Sequence, residues 1–155
     1  MKQLLLTLVL LTLVLSTHGQ GKNKEADKKA IEKLIHKEIE AFLARDWESY
    51  EDCWLHEPYT RHFLTSKASF NGKIGWENQK EFLLQSFQER GPRNYKGEKT
   101  NISIEVFGEA AYATFNEEYI VGPDEGPTMR TGINNAFFLK REGDWKFVCM
   151  NIVNT

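Results

Sequence analysis

Between Ala26 and Tyr50 the apolar residues follow a helical period. Ile31, Leu34, Ile35, Ile39 and Phe42 form one stripe, which predicts an amphipathic helix from Asp27 to Ala44 with Asp27 as its N-cap. Glu38 falls inside that stripe, and its neighbours one turn away, Leu34, Ile35, Ala41 and Phe42, offer it no cation. A carboxylate aimed at a core must be protonated, paired from elsewhere in the chain, or set on a wet cavity. Arg45-Asp46 breaks the rhythm, and Trp47, Tyr50 and Trp54 then predict a shorter second helix ending before Pro58. Tyr59 to Phe70 reads as one extended segment and Asn71-Gly72 as a turn. After Gly75 the stretch WENQKEFLLQSFQE predicts a third helix that buries Trp76, Phe82, Leu83 and Phe87. Residues 90–97 carry loop chemistry.

From Asn101 the alternation changes to every second residue. Ile102, Ile104 and Val106 share one face of a strand ending at Phe107, and Gly108-Glu109 turns the chain. Further strands are predicted over Ala111–Val121, Met129–Arg141 and Trp145–Val153, with a loop at Gly122–Pro127 and a tight turn at Arg141–Asp144. Four strands with short connections make an antiparallel meander.

The 155 residues suffice for one domain with a real core. With 20 basic and 22 acidic residues, the chain lacks the basic excess that phosphate-dominated nucleic-acid binding requires. Met1-Lys2, the apolar run Leu4–Leu15 and the small or polar residues Ser16-Thr17-His18-Gly19 have the three regions of an export signal. Cleavage is expected after Gly19, giving a signal peptide over 1–19, a flexible leader over 20–26 and a folded domain over 27–155. The apolar run is too short to span a bilayer comfortably, and no stable membrane span is expected once the signal is removed. A secreted or periplasmic location follows as an expectation. In such a compartment Cys53 and Cys149 can pair; as free thiols among apolar neighbours they would serve as small hydrophobes. No metal-ligand or cofactor motif is present in the sequence.

The order of helix, short helix, strand, helix and four strands, with FLARDWESY, NGKIGWENQKEFL and REGDWKFVCMNIV at matching places, resembles the nuclear transport factor 2-like superfamily. Within it the chain is most similar to SnoaL-like and ketosteroid-isomerase-like proteins. The resemblance implies an α+β fold: a cone-shaped, curved antiparallel sheet packed on three N-terminal helices, also called cystatin-like. It further implies a mostly apolar pocket in the cone and homodimerisation through the outer sheet face. Isomerases of this kind use a tyrosine on the first helix and a protonated aspartate as oxyanion donors, with an aspartate base. Alignment on Asp46 places Glu38 at the tyrosine position and His62 at the base position, and counting back from the Phe137-Phe138-Leu139 strand places Asn135 at the second donor position. None of the three is the isomerase's residue, so steroid isomerisation is not implied.

Glu38, His62 and Asn135 are nonetheless the candidate catalytic set. His62 is a base by type, Glu38 could orient it, and Asn135 could donate to an oxyanion. Trp54, Tyr59, Tyr119 and Phe137 are the candidate ligand-binding positions, with Asn134 a further wall residue. Asn135 alternates with Ile133, Phe137 and Leu139, which predicts a buried face. Of Glu117 and Glu118 only one can point inward. Arg61 and Arg130 are the cations considered for a buried pair with Glu38, which would leave no chemistry. The favoured function is noncatalytic binding of a small, partly apolar molecule. The alternatives are a small isomerase, dehydratase or cyclase using His62 and Glu38, and an assembly module dimerising through the sheet.

Overall fold

A computed structural model describes the backbone of residues 2–90, 97–121 and 128–154, with side chains from Asn23 onward except at 89, 90, 119, 121 and 128. Helix α1 (Lys2–Ala44) is already running before Asp27, so Asp27 is not an N-cap, and the backbone over 20–26 is helical. The Asp27 carboxylate instead accepts from Lys140 Nζ at 2.7 Å and Trp145 Nε1 at 2.9 Å, tying the helix to the sheet. Of the predicted stripe, Ile31, Ile35 and Ile39 are buried and Leu34 and Phe42 pack partly buried against the core, with Ala41 buried beside them. Each isoleucine so buried contributes about 1.5–3 kcal/mol. α1 ends in a Schellman turn, with Asp46 N–H donating to Ala41 C=O and Arg45 in the left-handed region at φ 59°. Asp46 then caps α2 (Trp47–Asp52) by accepting from the Ser49 N–H at 3.1 Å.

The segment read as one strand is two. β1 (Arg61–Thr65) and β2 (Phe70–Ile74) pair antiparallel around Ser66, whose hydroxyl accepts from the N–H groups of Ala68 and Ser69. That local side-chain bond makes the turn, and Asn71-Gly72 lies within β2. α3 (Trp76–Arg90) follows and buries Trp76, Leu83 and Phe87, whereas Phe82, expected inside, is 42% exposed. The meander consists of β3 (Gly97–Phe107), β4 (Ala110–Val121), β5 (Thr128–Arg141) and β6 (Asp144–Asn154). The expected loop at Gly122–Pro127 lies outside the described residues.

The strands form one sheet in the order β2-β1-β6-β5-β4-β3, with β1 parallel to β6 and every other pair antiparallel. Helices cover the concave face of this curved, unclosed sheet, giving an α+β cone. Ala111, Ala113, Phe115, Ala136, Phe138, Phe147 and Met150 point into it. Phe42, Trp47, Tyr50 and Phe87 make an aromatic cluster between the helices, with ring centroids 5.5–6.2 Å apart. Cys53 and Cys149 are both free; the buried Cys53 thiol donates to Ser49 C=O at 3.2 Å. Burial pushes the Cys53 pKa up to about 12, so it is an unreactive hydrophobe.

Two irregularities decide which side chains face inward. Between Thr100 and Ser103 the β3–β4 register shifts, with Asn101 in the left-handed region at φ 52°. Before the bulge an odd residue, Lys99, is buried; after it Ile104 and Val106 are. A bulge adds one residue and so reverses the parity of the strand. A second shift, at Phe137/Phe138, falls opposite the point where β6 changes its inward residues from Trp145 and Phe147 to Met150.

Candidate functional site

The helix positions Glu38 on the concave side, 3% exposed, and β3 brings its partner. Lys99, swung inward by the bulge at Asn101, donates from Nζ to Glu38 Oε2 at 2.5 Å. Neither Arg61 nor Arg130 provides the pairing cation expected from sequence; Lys99 does. Its ammonium also lies 4.0 Å from Glu117 Oε2 and over the Phe115 ring at 5.0 Å. Glu117 is the inward member of its pair, Glu118 being exposed. The Asn134 amide donates to Glu117 Oε2 at 3.1 Å. Burial, followed by the Glu38 charge, holds the Glu117 pKa above the usual carboxylate range against the pull of Lys99. Two carboxylates, one ammonium and one amide thus form a closed polar cluster on the concave face.

A cavity of about 200 Å³ opens against this cluster. Glu38, Glu117, Tyr50 and His62 supply polar wall, and Ile39, Phe42, Leu83, Met150 and Ile152 supply much of the apolar wall. Leu64, Asn71, Lys73, Phe82 and Ser86 complete the lining, with the Lys73 ammonium 4.6 Å from the centroid of the partly exposed Phe82 ring. β1 aims His62 inward: in register with Lys73 of β2 and Met150 of β6, it shares the concave face with all of them. Its ring packs against Trp54 at 5.5 Å. Burial drives the His62 pKa down to about 4, with Lys99 adding to the effect and Glu38 opposing it. The imidazole is therefore neutral at physiological pH.

Among the described residues His62 Nε2 is buried beside the cavity without a hydrogen bond, and so is Asn134 Oδ1 in the polar cluster; the Tyr50 hydroxyl lies against Glu38 and Trp54. Tyr50 is fully buried, and desolvation, then the Glu38 charge, raises its pKa well above the ordinary tyrosine value, so the phenol keeps its proton. Buried polar atoms without partners are uncommon in folded proteins and cost about 1–3 kcal/mol each.

The structure thus brings Glu38 and His62 to one cavity and leaves the other candidates elsewhere. Asn135 lies on the outer sheet face, where its side-chain oxygen accepts from the Tyr112 hydroxyl at 2.8 Å. Phe137 shares that face, 50% exposed and packed against Tyr112. The parity assignment for β5 is therefore reversed, and Asn134 is the inward asparagine. Trp54 is core behind His62, stacked on Phe147 at 5.2 Å, and does not line the cavity. Tyr59 is exposed and also absent from the lining. The Tyr119 side chain lies outside the described residues. Sequence reasoning missed Lys99, whose only signal was an asparagine, tolerant of positive φ, inside an otherwise regular alternation.

Comparison of the sequence with protein-family models and with curated proteins gives no match. Solved structures do match. A proposed dehydratase from Streptomyces avermitilis superposes with a TM-score of 0.71 at 14% identity, over 85% of this chain and 98% of that one. A cystatin-like-fold protein from Novosphingobium aromaticivorans gives 0.68 at 13% identity, over 90% and 86%. The association domain of C. elegans CaMKII gives 0.67 at 17% identity, over 86% and 98%. At such identities the likeness carries the fold, which is the nuclear transport factor 2-like, cystatin-like one.

Proposed function

We propose that this protein is an exported single-domain binder of a small, partly apolar molecule, held in the cone cavity without chemistry. The observation that carries this reading is the pairing of the cavity's carboxylates. Glu38 is held by Lys99 and Glu117 by Asn134, so neither is free to shuttle protons. His62, with its pKa driven down to about 4, is a weak base. An apolar wall with a few fixed polar groups is what small-molecule sites use. Native mass spectrometry of the purified protein should find a copurifying small molecule, and thermal stability should rise with concentration for members of a lipid, sterol and aromatic panel. If no compound copurifies and none raises the melting temperature, the binding reading fails.

A second reading keeps support from one feature: Glu38 and His62 face the same cavity. An isomerase, dehydratase or cyclase would use them as its acid/base pair. Prolonged incubation separates the two, since a binder returns its ligand unchanged and an enzyme returns product. We also propose a homodimer through the outer sheet face, where Ile133 and Phe137 are half exposed; two solved structures of this fold are hub or association domains. Export rests on the first nineteen residues, and sequencing of the mature N-terminus should begin at Gln20. Among the described residues no helix is long and apolar enough to cross a membrane.

A further inference from the structure

We infer that the cavity selects an uncharged molecule, apolar over most of its surface, with a single hydroxyl or carbonyl head bound at His62 and Tyr50, and that it rejects acids. This rests on the binding reading above and adds to it the ligand's charge class and the residue that reads it. Three observations carry it. First, the inner wall is apolar, so a ligand's body must be apolar to replace water there. Second, the polar cluster is acidic: the Glu38 and Glu117 carboxylates face one ammonium, Lys99, whose closest contact is Glu38. A ligand carboxylate at that end would meet negative charge, with Lys99 already held by Glu38, and would lose its hydration as well. Third, His62 Nε2 is buried and without a hydrogen bond, and Tyr50, whose hydroxyl lies against Glu38 and Trp54, lines the cavity with it. Neutral imidazole and neutral phenol together can donate to and accept from one hydroxyl, or donate to one carbonyl. A ligand head there satisfies the imidazole nitrogen that otherwise stays unpaired.

Lys73 is the feature that could reverse this preference. It is a lining cation and the cross-strand partner of His62, but its ammonium is turned onto the partly exposed Phe82 ring. An acid drawn to Lys73 would place its head beside the Phe82 ring, with His62 Nε2 still unpaired.

The test uses three probes of one shape and different charge: cinnamyl alcohol, cinnamate and cinnamylamine, titrated into the full domain near neutral pH by ligand-observed NMR. The alcohol should bind at least about tenfold more tightly than cinnamate or the amine, as expected when a charge must be desolvated. In His62→Phe the alcohol should lose about tenfold and the preference should shrink, while His62→Gln, which restores a donor and an acceptor, should recover part of it. A Leu83→Trp variant fills the cavity and should abolish binding of all three. Cinnamate or cinnamylamine binding as tightly as the alcohol, with binding still lost in Leu83→Trp, overturns the charge selection and leaves the cavity reading standing. An alcohol affinity unchanged in both His62 variants overturns the role of His62. Binding that survives Leu83→Trp places the probes outside the cavity and overturns both.

Discussion

Lys99 is predicted to be the most sensitive single residue of the buried cluster. Its ammonium faces two carboxylates at once, Glu38 at 2.5 Å and Glu117 at 4.0 Å, with both Lys99 and Glu38 side chains almost wholly buried. Lys99→Met keeps the length of the stem and removes the charge, leaving two carboxylates facing each other in a dry site. Removing one partner of such a pair costs about 3–5 kcal/mol. Glu38→Leu should cost less, because Glu117 remains to hold the ammonium. In urea, with a slope of about 2 kcal/mol per molar, Lys99→Met should lower the unfolding midpoint by about 2 M; the four tryptophans provide the fluorescence signal. The deficit should depend on pH with a definite sign. In the variant a carboxylate has a folded-state pKa raised above its unfolded value of about 4.3, so the folded state holds the extra proton. Stability relative to the parent therefore recovers as pH falls towards 4 and is lost as pH rises through the raised value. A midpoint within about 0.5 M of the parent, or a larger loss in Glu38→Leu than in Lys99→Met, would refute the assignment of Lys99 as the shared counter-ion.

Further outcomes follow from other parts of the cone. His62 has a folded pKa of about 4 against an ordinary 6.5, so the unfolded chain takes up the proton first as pH falls. Its contribution, up to about 3 kcal/mol, is present above pH 6.5 and lost towards pH 4, and His62→Gln should flatten that part of the stability–pH curve. Asn101 at positive φ should tolerate glycine, whereas Asn101→Val should cost about 1–2 kcal/mol by thermal or urea unfolding; equal stability for the two would remove the bulge argument. Phe137→Glu on the outer face should convert a dimer to a monomer in light scattering without altering the affinity of cavity ligands; a change in ligand affinity with no change in mass would reverse that assignment.

Much of the cone could be read from the residue pattern, because local chemistry and tertiary structure agree there. Ile31, Ile35 and Ile39 mark the buried side of α1, and the alternation after Asn101 marks the meander. The failures have physical causes. Ser66 makes a turn through its side chain in a stretch otherwise rich in strand formers, so β1 and β2 read as one strand. On β5 both faces carry apolar residues, Phe138 inside and Ile133 and Phe137 outside, so a two-residue period reveals alternation without revealing which face is the core. The sequence pattern alone therefore turns Asn135 and Phe137 inward, where the structure has them on the outer face. Glu38 could be recognised as anomalous from its own helix, but its partner could not: Lys99 lies sixty-one residues away and faces inward only because of a one-residue bulge.

The binding cavity is tested most directly by methyl NMR on protein labelled at its methionines. After the initiator there are two, and they report opposite sides of the sheet: Met150 is 1% exposed and lines the cavity, while Met129 is 65% exposed. Titration with uncharged, mostly apolar compounds should shift the Met150 methyl saturably and leave Met129 in place, and Leu83→Trp should remove the response. A Met150 signal that stays fixed across the whole panel, or a response confined to Met129, would contradict a ligand site within the cone.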